Sequence, residues 1–330
     1  MNFNRRKFLG ALLGWPIMIG AGVRRFNLQA QTRAGAGQLS LTNHQPGNRA
    51  MLKEGKTLVA TIRFPFPANH PTGSLPVKLA DTDASGAQLT EPQPLFFYAG
   101  REAHTFHTIL SAPLDAIEGT YNLHLSVPSA RDAALEWSFP YAIERGVYPE
   151  SALTLDENFS SPPPEVAARM QRDFERMVEI YQRRTTRRWQ APFIRPVNGP
   201  DKDNFGYRRV VNRTKRYSHG GLDYRAPKGT PVRAINDAIV ALSEEQWTPG
   251  QVICLDHGGG IFSRYIHLSE RRVRAGDIVT RGQIIALSGN TGGQKPPPHL
   301  HMDMVVNGTH VDPKDFINTA AQLEKAEAGG

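Results

Sequence analysis

A single cysteine, Cys254, stands among 330 residues, so no disulfide can form within the chain. It lies in the apolar run Val252-Ile253-Cys254-Leu255, which reads as a small buried hydrophobe rather than a reactive thiol. Beyond residue 30 no apolar run approaches the roughly 20 residues that a membrane-spanning helix needs. Aromatic residues are few, at 8%, and are not interleaved with basic runs, and no nucleic-acid-binding motif is present. Acidic residues are missing from one end of the chain. Residues 1–30 hold no Asp or Glu but carry Arg5, Arg6, Lys7, Arg24 and Arg25. Those five cations belong to the formal net charge of +8 and leave +3 for the remainder. So mild a basicity suits an anionic envelope polymer without assigning one.

The basic end has the form of an address. Asn4-Arg5-Arg6-Lys7-Phe8-Leu9 resembles the bacterial twin-arginine export signal. The apolar stretch 9–23 is broken by Gly10, Gly14, Pro16, Gly20 and Gly22, and Leu28-Gln29-Ala30 resembles a cleavage site. Residues 1–30 are therefore expected to lie outside the fold, and the mature protein in the bacterial envelope, in the periplasm.

The length suggests two domains. Short alternating runs at 57–64, 75–80, 95–98, 105–110, 121–127 and 135–143 predict an immunoglobulin-like β-sandwich over 38–145. The clearest run has Tyr121, Leu123, Leu125 and Val127 alternating with Asn122, His124 and Ser126. His44, His70, His104, His107 and His124 are scattered here without ligand spacing. A linker and helix should fill 146–190. Pro162-Pro163-Pro164 opens the helix, and Val166, Met170, Phe174, Met177, Val178 and Tyr181 form its apolar stripe. Arg183-Arg184 and Arg187-Arg188 then read as a solvated C-terminal cap. From 191 to 318, Val- and Ile-rich strands at 230–234, 238–243, 251–256, 261–267, 277–280, 283–288 and 299–306 alternate with glycine-rich turns, which predicts a compact all-β domain. The polar tail 319–330 should fray. The chain as a whole reads as mainly β.

The second domain holds the chemistry. In His219-Gly220-Gly221-Leu222-Asp223 the glycines argue against a helix, and on an extended segment residues four apart face one side. His299-Leu300-His301 places two imidazoles on one strand face, with Pro298 stiffening the approach. Tyr265-Ile266-His267-Leu268-Ser269 adds a further imidazole. Zinc takes nitrogen and carboxylate ligands, and a catalytic site uses three of them and keeps one position for water. Four histidines and one aspartate thus supply three ligands and two spare imidazoles for proton transfer, and spacing alone does not say which are which.

Residues 193–316 resemble the lysostaphin-type zinc endopeptidases of bacterial cell walls. The resemblance runs in order through Arg216 to Pro227, Gly229-Thr230-Pro231-Val232, Asp256-His257-Gly258, Tyr265 to Ser269, Gly276-Asp277-Ile278-Val279, Gly282-Gln283, Gly289-Asn290-Thr291-Gly292 and Pro298-His299-Leu300-His301. It implies that His219, Asp223 and His301 hold Zn2+ and that His267 and His299 are non-ligand catalytic imidazoles. It also implies a metallopeptidase acting on the peptide cross-links of peptidoglycan. A peptidase of other exported proteins, or a non-catalytic adaptor that activates another wall hydrolase, are the competing readings. His257 is expected to be structural and His310 exposed. Phe205-Gly206-Tyr207-Arg208-Arg209 also resembles related envelope peptidases. Arg208 or Arg209 either meets a substrate carboxylate or is an ordinary strand-edge charge. One departure is the run Gln294-Lys295-Pro296-Pro297-Pro298, where the family carries small residues, so a stiffer, bulkier rim is expected.

Overall fold

The computed structural model describes residues 38–41, 50–63, 78–82, 93–94, 98–99, 105–127, 135–154, 162–213, 215–293 and 297–328. Segment 1–30, expected from the sequence to be an export signal, lies outside them. Among the described residues no helix is long and apolar enough to cross a membrane. Two compact units are present. One is built on Val147–Ile317, the other on the described residues up to Gly146 together with those from Asn318 onward.

The N-terminal unit has two sheets. Strands β1 (Gln38–Leu41), β3 (Thr57–Arg63), β7 (Thr105–Ser111) and β6 (Tyr98–Ala99) form one, in the order β1-β3-β7-β6. The other runs β2-β9-β8-β4-β5, with β2 (Ala50–Lys53), β4 (Lys78–Thr82), β5 (Gln93–Pro94), β8 (Gly119–Val127) and β9 (Leu135–Glu144). Only β2 and β9 pair in parallel among these strands. The immunoglobulin-like connections depend on segments 42–49, 64–77, 83–92, 100–104 and 128–134, which lie outside the described residues, as do His44, His70 and His104. His107 is buried, with Nδ1 2.8 Å from Thr61 Oγ1.

The histidines singled out in the sequence for metal or proton chemistry sit in the second unit. Helix α1 (Pro164–Tyr181) opens at a proline, where the missing N–H costs nothing. It buries Met170, Phe174, Met177, Ile180 and Tyr181. Val166 and Val178 of the expected stripe are only half-buried, and Ile180 takes the inner position instead. Met177, Ile180 and Tyr181 pack on Leu242, Val252, Cys254, Phe262 and Val305 of the main sheet. Cys254 is fully buried, as its apolar run predicts.

That sheet has seven strands. Its path is β13 (Gly221–Tyr224), β21 (Leu300–Val306), β17 (Ile261–Leu268), β16 (Gly250–Gly258), β15 (Ala238–Gln246) and β19 (Ile278–Val279), with β22 (Thr309–Val311) also on β21. Two three-stranded sheets complete the unit. One orders β10 (Glu150–Leu153), β11 (Arg208–Val211) and β12 (Lys215–Ser218), the other β14 (Pro231–Arg233), β20 (Ile284–Leu287) and β18 (Glu270–Arg271).

Two expectations fail here for identifiable reasons. The arginine run is not a freely solvated cap. Arg184 does donate to the Tyr181 carbonyl at 3.2 Å, but Arg187 stacks 3.8 Å from the Trp189 ring centre. The backbone of this segment is tied to the β16–β17 turn: Gly259 donates to the Thr185 carbonyl and Arg188 to the His257 carbonyl. Gly258 makes the approach possible, because a Cβ there would overlap the Thr186 carbonyl and its φ is +77°. Nor does the tail fray. Helix α2 (Pro313–Ala328) runs through it, burying Phe316, Ala320 and Leu323 at helical spacing, and Thr57 Oγ1 donates to Thr319 Oγ1 at 2.9 Å.

His257 packs as a structural residue, fully buried, with Nδ1 donating to the Asp237 carbonyl at 2.9 Å and Nε2 beside Ser263 Oγ at 2.8 Å. Burial pushes its pKa from 6.5 down to about 4. Between those values the unfolded chain binds the proton and the folded chain does not, so stability falls as pH falls. At the acid end the gap is worth roughly 3 kcal/mol. Urea unfolding at pH 7 and at pH 4 should therefore show the wild type losing roughly 3 kcal/mol more than His257→Asn. Equal losses would mean that His257 titrates as a free imidazole.

Candidate metal centre

The register of β13 against β21 puts Asp223 directly opposite His301. His219 lies just before β13, at the end of the β12 hairpin arm. Three atoms converge there. His219 Nε2 is 3.0 Å from His301 Nδ1, His301 Nδ1 is 2.9 Å from Asp223 Oδ1, and His219 Nε2 is 3.3 Å from that oxygen. Among the described residues this is the one trio of His, Cys, Asp or Glu whose ligand atoms all lie within 4.8 Å of one another. All three side chains are buried.

Neighbouring groups aim each ligand atom. The Asn204 carbonyl can only accept, so at 2.8 Å it takes the Nδ1 proton of His219 and leaves the Nε2 lone pair facing the trio. Asn204 Nδ2 donates to Asp223 Oδ2 at 2.8 Å, and Asp223 N donates back to Asn204 Oδ1 at 3.1 Å. One asparagine thus orients two ligands. His301 Nε2 faces Asp303 Oδ1 at 2.8 Å, and Arg264 Nε donates to Asp303 Oδ2 at 2.6 Å. A carboxylate behind a histidine fixes its tautomer and raises its basicity at a metal.

The donor set favours positive charge. Burial alone would lower His301, but Asp303 and Asp223 outweigh it and push the imidazole up to about 9. Asp223 is held well below the usual carboxylate range: burial opposes this, and His219 and His301 overcome it. Burial lowers His219 against the pull of Asp223, with the charges of His301 and Arg209 acting in the same direction as burial. Two imidazole nitrogens and one carboxylate oxygen are the donors that a divalent ion such as zinc takes, so these residues fit the group that the sequence implies.

His267 and His299 stand beside the trio with ring centroids 5.0 Å apart. His267 Nδ1 donates to the Thr291 carbonyl at 2.9 Å, and His299 Nδ1 to the Pro297 carbonyl at 2.8 Å. Both rings therefore keep Nε2 as an unprotonated acceptor. His299 Nε2 is 3.6 Å from Asp223 Oδ1. Burial, then the charges of His301 and His299, depress His267 to about 3, and burial lowers His299. His267 also holds a left-handed backbone, φ +60°, which a non-glycine residue rarely keeps without some constraint from its site. All five residues line one cavity of about 540 Å³.

The structure brings together every residue singled out in the sequence for metal or proton chemistry. It also corrects one reading and adds two residues. His310 is buried, not exposed. The turn at Asn307 and Gly308 folds β22 back on β21, placing its ring against Tyr181 and its Nδ1 3.3 Å from the Gly220 carbonyl. Asn204 and Asp303 are the additions. Residues 294–296 of the proline-containing rim lie outside the described residues, but Pro297 has a definite task in holding His299.

Asn204→Ala should weaken metal binding by about 10- to 100-fold, the usual effect of losing such an outer partner, without unfolding the chain. Competition with a chelator of known affinity measures this. An unchanged affinity would show that Asn204 does not orient the ligands.

Comparison with known proteins finds a family, related sequences and a related fold. Residues 217–313 match the model of Peptidase family M23. The chain is 40% identical over 126 residues to the peptidoglycan DD-endopeptidase ShyA of Vibrio cholerae, covering 38% of this chain and 29% of that protein. It is 35% identical over 124 residues to the DD-carboxypeptidase/endopeptidase Mpg of Neisseria meningitidis, covering 37% of this chain and 28% of that protein. The chain thus matches less than a third of the length of either relative. A crystal structure from Pseudomonas aeruginosa shares the fold over 79% of this chain and 94% of its own, with TM-score 0.56 and 22% identity. The resemblance read in the sequence is borne out at the level of the family: this chain carries a peptidase domain of family M23.

Proposed function

We propose that the chain is a zinc-dependent endopeptidase of the bacterial envelope that hydrolyses peptide bonds in peptidoglycan cross-links. The observation that carries this reading is the convergence of His219 Nε2, Asp223 Oδ1 and His301 Nδ1 beside two neutral imidazoles in one cavity. The substrate is inferred from the matched relative ShyA, whose name states peptidoglycan DD-endopeptidase activity. A periplasmic location is inferred from the export-type segment at 1–30. The adaptor reading gives no reason for a complete donor set.

His219, Asp223 and His301 would hold the ion, which supplies a Lewis acid for water and for the scissile carbonyl. The chain's own proton chemistry falls to His267 and His299. Their Nε2 lone pairs face the cavity, and at neutral pH both rings are uncharged, so either can take a proton from an attacking water. An amide nitrogen leaves only once protonated, and an imidazole that has gained that proton can return it to the amine. The fixed Nδ1 contacts hold each ring in the tautomer that this exchange needs.

Ligand and proton-handling roles are separable. His219→Ala, Asp223→Ala and His301→Ala should each lose zinc, which elemental analysis reads directly. His267→Gln and His299→Gln should keep about one zinc per chain while cross-link hydrolysis falls about 10²-fold or more. Near-normal hydrolysis in both glutamine variants would defeat the mechanism. Loss of zinc in either would move that histidine into the ligand set.

A further inference from the structure

The two adjacent arginines of β11 have different fates. Arg208 donates to Ser218 Oγ and stands 5.3 Å from the Tyr148 ring centre, so its guanidinium is committed to partners within the chain. Arg209 points the other way, as strand alternation requires, and lines the cavity that holds the metal ligands. It is registered opposite Tyr217, two residues before His219, and its charge bears on that histidine. Its Nε is buried and has no hydrogen-bond partner among the described residues. A buried donor left unmade is costly and calls for a ligand.

No acid of the cavity serves it. Asp173 accepts the Trp247 N–H, Asp223 belongs to the ligand trio, and Asp303 is taken by Arg264 and His301. A second cation, Lys202, also lines the cavity. Its backbone N–H donates to the Asp223 carbonyl at 2.8 Å, and no described carboxylate pairs with its exposed ammonium. Two cations therefore line the cavity of the ligand trio, and among the described residues no acid pairs with either.

We propose that Arg209 binds a free carboxylate of the substrate beside the scissile bond, so that the enzyme selects acidic peptide cross-links over neutral ones. The planar fork of a guanidinium matches a carboxylate with two parallel hydrogen bonds, which a strand-fixed arginine offers at little entropic cost. Lys202 adds charge without that geometry. The assignment rests on the endopeptidase reading above.

The test uses the zinc-loaded full chain and one cross-linked peptide dimer, offered with its carboxylates free or converted to carboxamides. The wild type should favour the free form by about 10- to 100-fold in kcat/KM, mainly through KM, the scale of a charge-assisted pair. Arg209→Gln, with zinc content intact, should lose the preference for the free over the amidated dimer to within about threefold. Should that variant lose zinc, Arg209→Lys carries the test, with a preference cut at least about threefold for want of the fork. A wild type that cleaves both dimers equally, or an arginine variant with undiminished preference, overturns the role of Arg209 and leaves the endopeptidase reading standing. A wild type that cleaves neither overturns that reading and the role of Arg209 with it.

Discussion

The site depends on one pairing register. β13 lies on β21 so that Asp223 opposes His301 and Gly221 opposes Asp303, while Leu222 and Tyr224 face Met302 and Leu300 on the other side. Those four apolar side chains are at most 2% exposed. A slip of one residue would send them to the cavity and the ligands to the core, so the hydrophobic face holds the polar face in place. Gly221 completes the constraint. A Cβ there would lie 2.7 Å from Asp303 Oδ1 and from the Met302 carbonyl, closer than real side chains come.

Behind that register stands a buried charge pair. Arg264 and Asp303 are 4% and 2% exposed, and Asp303 spends its second oxygen on His301. Removing one partner of such a pair leaves an uncompensated buried charge, at a cost of about 3–5 kcal/mol. The same carboxylate raises His301 to about 9, while burial and neighbouring positive charge take His267 to about 3. Two histidines in one cavity thus differ widely in basicity, His301 raised by its carboxylate neighbours and His267 kept a free base. Such a separation is how a site divides its roles among like residues.

Much of this was legible in the residues. The i, i+4 spacing of His219 and Asp223, with glycines between them, and the i, i+2 spacing of His299 and His301 both state a shared face. The same rule reaches Asp303, two residues further along, but a carboxylate on an alternating strand looks like an ordinary surface residue until its burial is known. Asn204 leaves no signal at all. It acts from an irregular segment 15 residues before His219, and its side chain and carbonyl work through geometry rather than pattern. The arginine run after α1 and the tail misled for a related reason. Composition registers charge, whereas Thr185, Arg188 and Thr319 are fixed by hydrogen bonds to distant partners. In the N-terminal unit the strand runs were readable, and their connections were not.

The central claim is that His219 Nε2, Asp223 Oδ1 and His301 Nδ1 form one metal-binding triangle. Anomalous diffraction at the zinc edge, on crystals of the zinc-loaded protein, tests it most directly. The account predicts one strong peak per chain, about 2.0–2.2 Å from each of those three atoms, with His267 and His299 outside bonding distance. A peak bonded to His267 or His299, or to His301 through Nε2 in place of Asp303, would contradict it.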